Sequence, residues 1–189
     1  MLAKAIAVTA SLSVLAACAG VPAPGAGGAD RPDAAAVTCG AIQEQPSEGQ
    51  AHIQEGAPIE PASRPATSGP HYPSWLDPQA RVIDQPVDEG LEGYAVHNLE
   101  HGYVFMYYRA EDVPPGTVEA LAALARSEEK VMLARYGQLP PDAPLTLAAW
   151  QRLRTCSEAG DAADVTEVAR DFIERFRGEA GVAPEPSGP

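Results

Sequence analysis

His97-Asn98-Leu99-Glu100-His101-Gly102 sets two imidazoles four residues apart, with a carboxylate between them, in a chain of 189 residues that holds only 4 histidines. Neutral imidazole is the commonest protein ligand for zinc and copper, so the first chemistry suggested is metal ligation. Residues four apart share a face on a helix and also on a strand. On a strand their Cα atoms would stand about 13 Å apart, too far for one ion. A turn, bulge or helical turn is therefore required, and Asn98 and Gly102 are residue types that permit one. His-x-x-Glu-His is also the inverted zincin pattern, in which two histidines hold zinc and the glutamate acts as base on bound water. That pattern needs a helix. Residues 103–108 are strand formers, and Gly93 and Gly102 bracket the motif. The sequence thus predicts a strand or a strand pair over residues 94–109, broken near Gly102, which speaks against a hydrolase.

A second cluster lies upstream, in Thr67-Ser68-Gly69-Pro70-His71-Tyr72-Pro73-Ser74-Trp75. Ser-Gly-Pro makes a tight turn, and the two prolines hold His71 and Tyr72 nearly extended. Such a preorganised histidine serves either as a ligand or as a structural clasp that bonds a backbone carbonyl while Trp75 covers the core. Ser68 lacks the Gly-x-Ser-x-Gly elbow of a serine nucleophile, and no phosphate loop, dinucleotide fingerprint or CxxC pair occurs.

Taken together, TSGPHY and VHNLEHGYV resemble the signature of the bacterial domain-of-unknown-function 3105 family, which pairs a Pro-Thr-Ser-Gly-Pro-His segment with a later His-x-Leu-Glu-His-Gly segment before a strand. Ala66 stands where that family usually has a second proline, and His52, in Gln50-Ala51-His52-Ile53, stands where it often has an early histidine. The likeness spans roughly residues 50–150. It implies that His52, His71, His97 and His101 all fall on patterned positions. These four form the expected metal set. Met106, alternating on the strand after His101, would add a soft ligand for copper(I), or else is a core methionine. Glu100 is expected as a ligand or as a partner that orients a histidine, with Tyr72 in a similar supporting place.

The elements that must position these groups read as α+β: a small, mostly antiparallel sheet with helices packed on one face, preceded by a long Pro-rich arm. The arm covers residues 40–78, with proline at 46, 58, 61, 65, 70, 73 and 78. Strands are expected at residues 81–85, 94–109, 130–136 and 145–150. Helices are expected at 118–127, capped by Thr117, and after Asp164, with Val165, Val168, Phe172 and Phe176 as the buried stripe.

At the N-terminus, Lys4, an apolar run over residues 5–17 and Leu15-Ala16-Ala17-Cys18 form a lipoprotein signal, 1–17, with Cys18 as the lipidated residue. An Ala/Gly/Pro tether follows over 18–38, then a single domain over 39–178 and a disordered tail over 179–189. Cys39 and Cys156 remain. They are expected to form a disulfide in an oxidising compartment, with metal ligation as the alternative. A net charge of −13 disfavours nucleic acid as a partner. It also leaves membrane attachment to the lipid anchor. The chain thus reads as a membrane-anchored extracytoplasmic lipoprotein, in the periplasm or at the cell surface. Its His-rich site is expected to bind copper or zinc for storage, delivery or sensing. A metal-dependent hydrolase and a metal-free binding module are the alternatives.

Overall fold

A computed structural model of the protein describes residues 37–188. The expected signal peptide, Cys18 and nearly all of the tether lie outside the described residues. The described chain runs β1 (Thr38–Cys39), β2 (Gln43–Glu44), β3 (Val82–Ile83), α1 (Glu92–Glu100), β4 (Val104–Tyr108), α2 (Pro115–Ser127), β5 (Val131–Arg135), β6 (Leu145–Ala149), β7 (Arg152–Glu158) and α3 (Ala162–Phe176), followed by a short 3-10 turn at Gly178–Ala180. No helix among the described residues is long and apolar enough to cross a membrane.

The fold is α+β, as the residue pattern predicts. Seven strands form one mixed sheet in the order β1-β7-β6-β4-β5-β3, with β2 also on β7. Its pairings are antiparallel except for β3–β5 and β4–β5. β4, α2 and β5 form a parallel crossover unit, whereas β6 and β7 meet at the tight turn Trp150-Gln151, where Gln151 takes a φ of 55°.

Alternation along β4 divides the core in two. Val104, Met106 and Tyr108 pack with Leu121, Leu124, Val165 and Phe172 of α2 and α3. Phe105 and Tyr107 pack on the other side with Val96 and Leu99 of α1. The expectation of helices on one face thus holds for α2 and α3, and α1 covers the opposite face. The Cys39–Cys156 disulfide is present and ties β1 to β7, so these two sulfurs are not metal ligands.

The main correction concerns residues 94–109. A helix, not a strand, covers 92–100, and only 104–108 is extended. Gly102 does break the chain there, as a helix stop. It takes a φ of 78°, its N–H bonds Leu99 O at 3.0 Å, and the Tyr103 N–H bonds Asn98 O at 3.1 Å. That pair of bonds is a Schellman terminus, which needs a residue free to adopt positive φ. At the last helix the cap is Asp161, whose Oδ1 accepts from Ala163 N, in place of Asp164. The stripe there is Val165, Ala169, Phe172 and Ile173, with Val168 and Phe176 only partly buried. α2 starts at Pro115, so Thr117 lies inside it and donates to Gly160 O.

Candidate metal centre

The proline-rich arm folds back on itself before it meets α1. His52 and His71 form a parallel bridge, with Ile53 N on His71 O at 2.8 Å and His71 N on Ala51 O at 3.0 Å. Two further bonds seat the arm. Gln151 N, at the β6–β7 turn, donates to Thr67 O, and Ala66 N donates to the Glu92 carboxylate at the start of α1. Glu92 also accepts from Tyr136 OH at 2.7 Å. Arm and helix then touch at Gly93, where an added Cβ would lie 2.6 Å from the Tyr72 ring and 2.7 Å from Ile59. Only glycine permits that approach.

This packing gathers all four histidines. The rings of His52, His71 and His97 stand 4.9, 5.0 and 5.0 Å apart, centroid to centroid, and His101 lies 4.9 Å from His97. One ligand atom each from His52, His71, His97 and Glu100 fall within 4.8 Å of one another. Imidazole and carboxylate ligands stand about 2.0–2.2 Å from zinc, so atoms at neighbouring corners of a tetrahedral site are about 3.4 Å apart. The widest-set donors therefore need to close by up to about 1.4 Å, a movement the half-exposed His52 side chain can supply. His97 Nε2 and His101 Nε2 are 3.0 Å apart. At that bond length this corresponds to about 94° at a shared ion. Glu100 joins a second group with His101 and Glu185.

The tautomers carry the chemistry. His71 Nδ1 lies 2.8 Å from Gly69 O, His97 Nδ1 2.7 Å from Tyr72 O, and His101 Nδ1 3.0 Å from Glu185 O. A carbonyl only accepts, so each Nδ1 must carry the proton. In the neutral ring, Nε2 is then a lone pair, and all three turn inward. His97 and His101 aim two such lone pairs at each other, and His71 Nε2 faces the Glu100 carboxylate at 3.0 Å. Acceptors facing acceptors require a shared proton or a cation between them. Carbonyl-fixed Nδ1–H with Nε2 free is the usual outer support of a metal-bound histidine.

Burial reinforces this state at one ring. His97 titrates below the ordinary imidazole value, chiefly because burial disfavours its charged form. The bond to Tyr72 O acts the other way, and His71, His101 and His52 add to the lowering. His71 is fully buried, with Trp150 edge-on beneath it. Only His52 reaches solvent, with its side chain 51% exposed. Above the site Trp75 stands edge-on to both His97 and His101. It is 40% exposed and does not cover the core. Asn98 fixes that residue's neighbour, accepting from Leu76 N and donating to Leu76 O.

Of the residues singled out by type and spacing, His52, His71, His97, His101 and Glu100 come together. Met106 does not. It is fully buried against α2 and α3, on the far face of the sheet. Tyr72 contributes its carbonyl, while its phenol bonds Ala57 O. Sequence reasoning missed Asn98 as a clamp, and also Lys130 and Glu185, whose contacts come from a tail with no apolar pattern.

Comparison with known proteins adds one finding. A family model described as "Protein of unknown function (DUF3105)" matches residues 52–189, a span that holds all four histidines and the C-terminal tail. No curated protein and no solved structure matches.

Proposed function

We propose that this chain, which belongs to the DUF3105 family, binds one divalent transition-metal ion at His52, His71, His97 and Glu100, with His101 beside them. The observation that carries the reading is the inward-facing set of Nε2 lone pairs, each fixed by a backbone carbonyl behind it. The donors are nitrogen and oxygen alone. Met106 is on the far face and the described cysteines are in a disulfide, so zinc(II) or copper(II) suits the set better than copper(I). Buried ligands reached past one half-exposed histidine fit storage or delivery of the ion. The lipoprotein signal and Cys18 support tethering to a membrane on its extracytoplasmic side, and the disulfide suits an oxidising compartment.

The helix over His97-x-x-Glu100-His101 also meets the requirement of a zinc hydrolase, which the strand expectation had set aside. Against that role, Glu100 is buried and faces His71, within ligand distance, and so is not free to act as base on bound water.

Elemental mass spectrometry of the purified protein, beside a His97→Ala/His101→Ala variant, tests the proposal. Stoichiometric zinc or copper in the first and a loss in the second is expected. If the intact protein stays empty after incubation with each ion, the proposal fails and the cluster is a structural clasp. Turnover of ester or peptide substrates by the loaded protein, abolished by Glu100→Gln, would favour the hydrolase instead.

A further inference from the structure

The histidines of the centre are not all held by the same part of the chain. His71 and His97 are oriented by carbonyls of the arm, whereas His101 is oriented by the C-terminal segment. That segment leaves α3 at Gly178, whose N–H bonds Gly102 O at 2.8 Å. The two backbones approach so closely that a Cβ at Gly102 would lie 2.8 Å from Gly178 Cα. Further on, Glu185 N donates to Glu100 O at 3.1 Å, while Glu185 O accepts from His101 Nδ1 at 3.0 Å. One residue of the tail thus grips both ligand residues at the end of α1.

Lys130 closes the arrangement. Its ammonium donates to His101 O at 3.0 Å and to Pro186 O and Gly188 O at 2.7 Å each. The three protons of the ammonium therefore join the helix end to the tail. Pro184 and Pro186 flank Glu185 and restrict the free segment, which lowers the entropy lost on docking. The family match extends through these residues.

We propose that residues 178–188 form an ion-responsive clasp on the centre. The inference rests on the metal reading above and adds its regulation. With the tail docked, His101 points Nε2 at His97 and its own lone pair meets another at 3.0 Å. That juxtaposition opposes docking, and a cation placed between the nitrogens turns it into attraction. Ion binding and tail docking therefore favour each other, and by linkage the effect is equal in both directions. Release of the tail frees His101 and loosens the ion, which gives a partner that captures the tail a way to unload the site.

Hydrogen exchange at the amides of Glu185 and Gly188, with and without zinc, tests this in the purified protein, alongside the rate at which a chelator removes zinc. Lys130→Met and Glu185→Pro are the variants. The second removes the amide that bonds Glu100 O together with the Glu185 carboxylate, and Glu185→Gln, which keeps the amide, separates the two; both cover the case in which Lys130→Met fails to fold. Zinc is expected to slow exchange at both amides of the natural chain. Lys130→Met and Glu185→Pro are each expected to lose zinc about 10–100-fold faster, the range typical of outer partners of metal ligands. If zinc binds but neither exchange nor release changes, the clasp is refuted while the metal reading stands. If the intact protein binds neither zinc nor copper, both fall.

Discussion

Glu100→Gln separates a ligand from a structural ion pair, because the two roles predict different results in metal-free and metal-loaded protein. The carboxylate is buried, 3.0 Å from His71 Nε2 and 3.9 Å from His52 Nε2. Glutamine has the same shape, and its amide can donate to the His71 lone pair that the carboxylate can only oppose. Metal-free stability should therefore stay within about 1 kcal/mol, the net worth of one hydrogen bond. At this chain length that is about 2–4 °C in Tm. Loaded protein should behave otherwise. Zinc at 100 times Kd stabilises the natural chain by about 2.7 kcal/mol, or about 5–11 °C. Removing the one anionic donor of the main group should weaken binding at least about 100-fold, the upper end for an outer partner. The zinc-dependent gain then shrinks to about 0.4 kcal/mol, under about 2 °C. Scanning calorimetry with and without zinc reads both quantities. A metal-free loss above about 3 kcal/mol, the cost of breaking a buried ion pair, combined with an undiminished zinc-dependent rise, would refute Glu100 as a ligand.

Three further outcomes follow from other parts of the molecule. His97 is depressed below 6.5 in the fold, so it contributes stability above that pH and loses it as the pH falls through the lower folded value. The stability difference between the natural chain and His97→Asn, followed by Tm from pH 8 to 5, should shrink below about pH 6.5. Reducing Cys39–Cys156, 117 residues apart in sequence, should cost up to about 4.9 kcal/mol by chain entropy in denaturant unfolding. Bound metal should be unaffected, because Cys156 lies in the opposite core. Met106→Leu should leave metal content unchanged and cost less than about 1.5 kcal/mol, as a volume-conserving core change; a lost ion would contradict its place on the far face.

The arm, the histidines, the disulfide and the strands β5 and β6 were legible because each has a local signature. α1 was not, and its burial explains why. Seven of its residues are buried, from Gly93 through Glu100, because the arm covers one side and the sheet the other. No polar face remains to mark a helical period, and Leu91 supplies no capping side chain. Tyr103 and the β4 residues then lend the motif a strand-like context. Gly102 is legible as a break, but its neighbours do not say of what. β7 was hidden by its mixed sequence, Arg152-Leu-Arg-Thr-Cys-Ser-Glu, and by the single-residue positive φ at Gln151 that turns the chain into it. The tail carries its contacts through backbone carbonyls, which leave no trace in residue type.

The bond from His101 to Glu185 spans 84 positions, and that distance has a bearing on when the site can exist. A chain emerging from the ribosome displays all four imidazoles once residue 101 is out. The turn that seats Thr67 comes some fifty residues later, and the carbonyl that aims His101 comes 84 positions after it. On the metal reading proposed above, the donor set with His101 in place is complete only after segments 84 positions apart have met, so the tightest form of the site belongs to the late stages of folding.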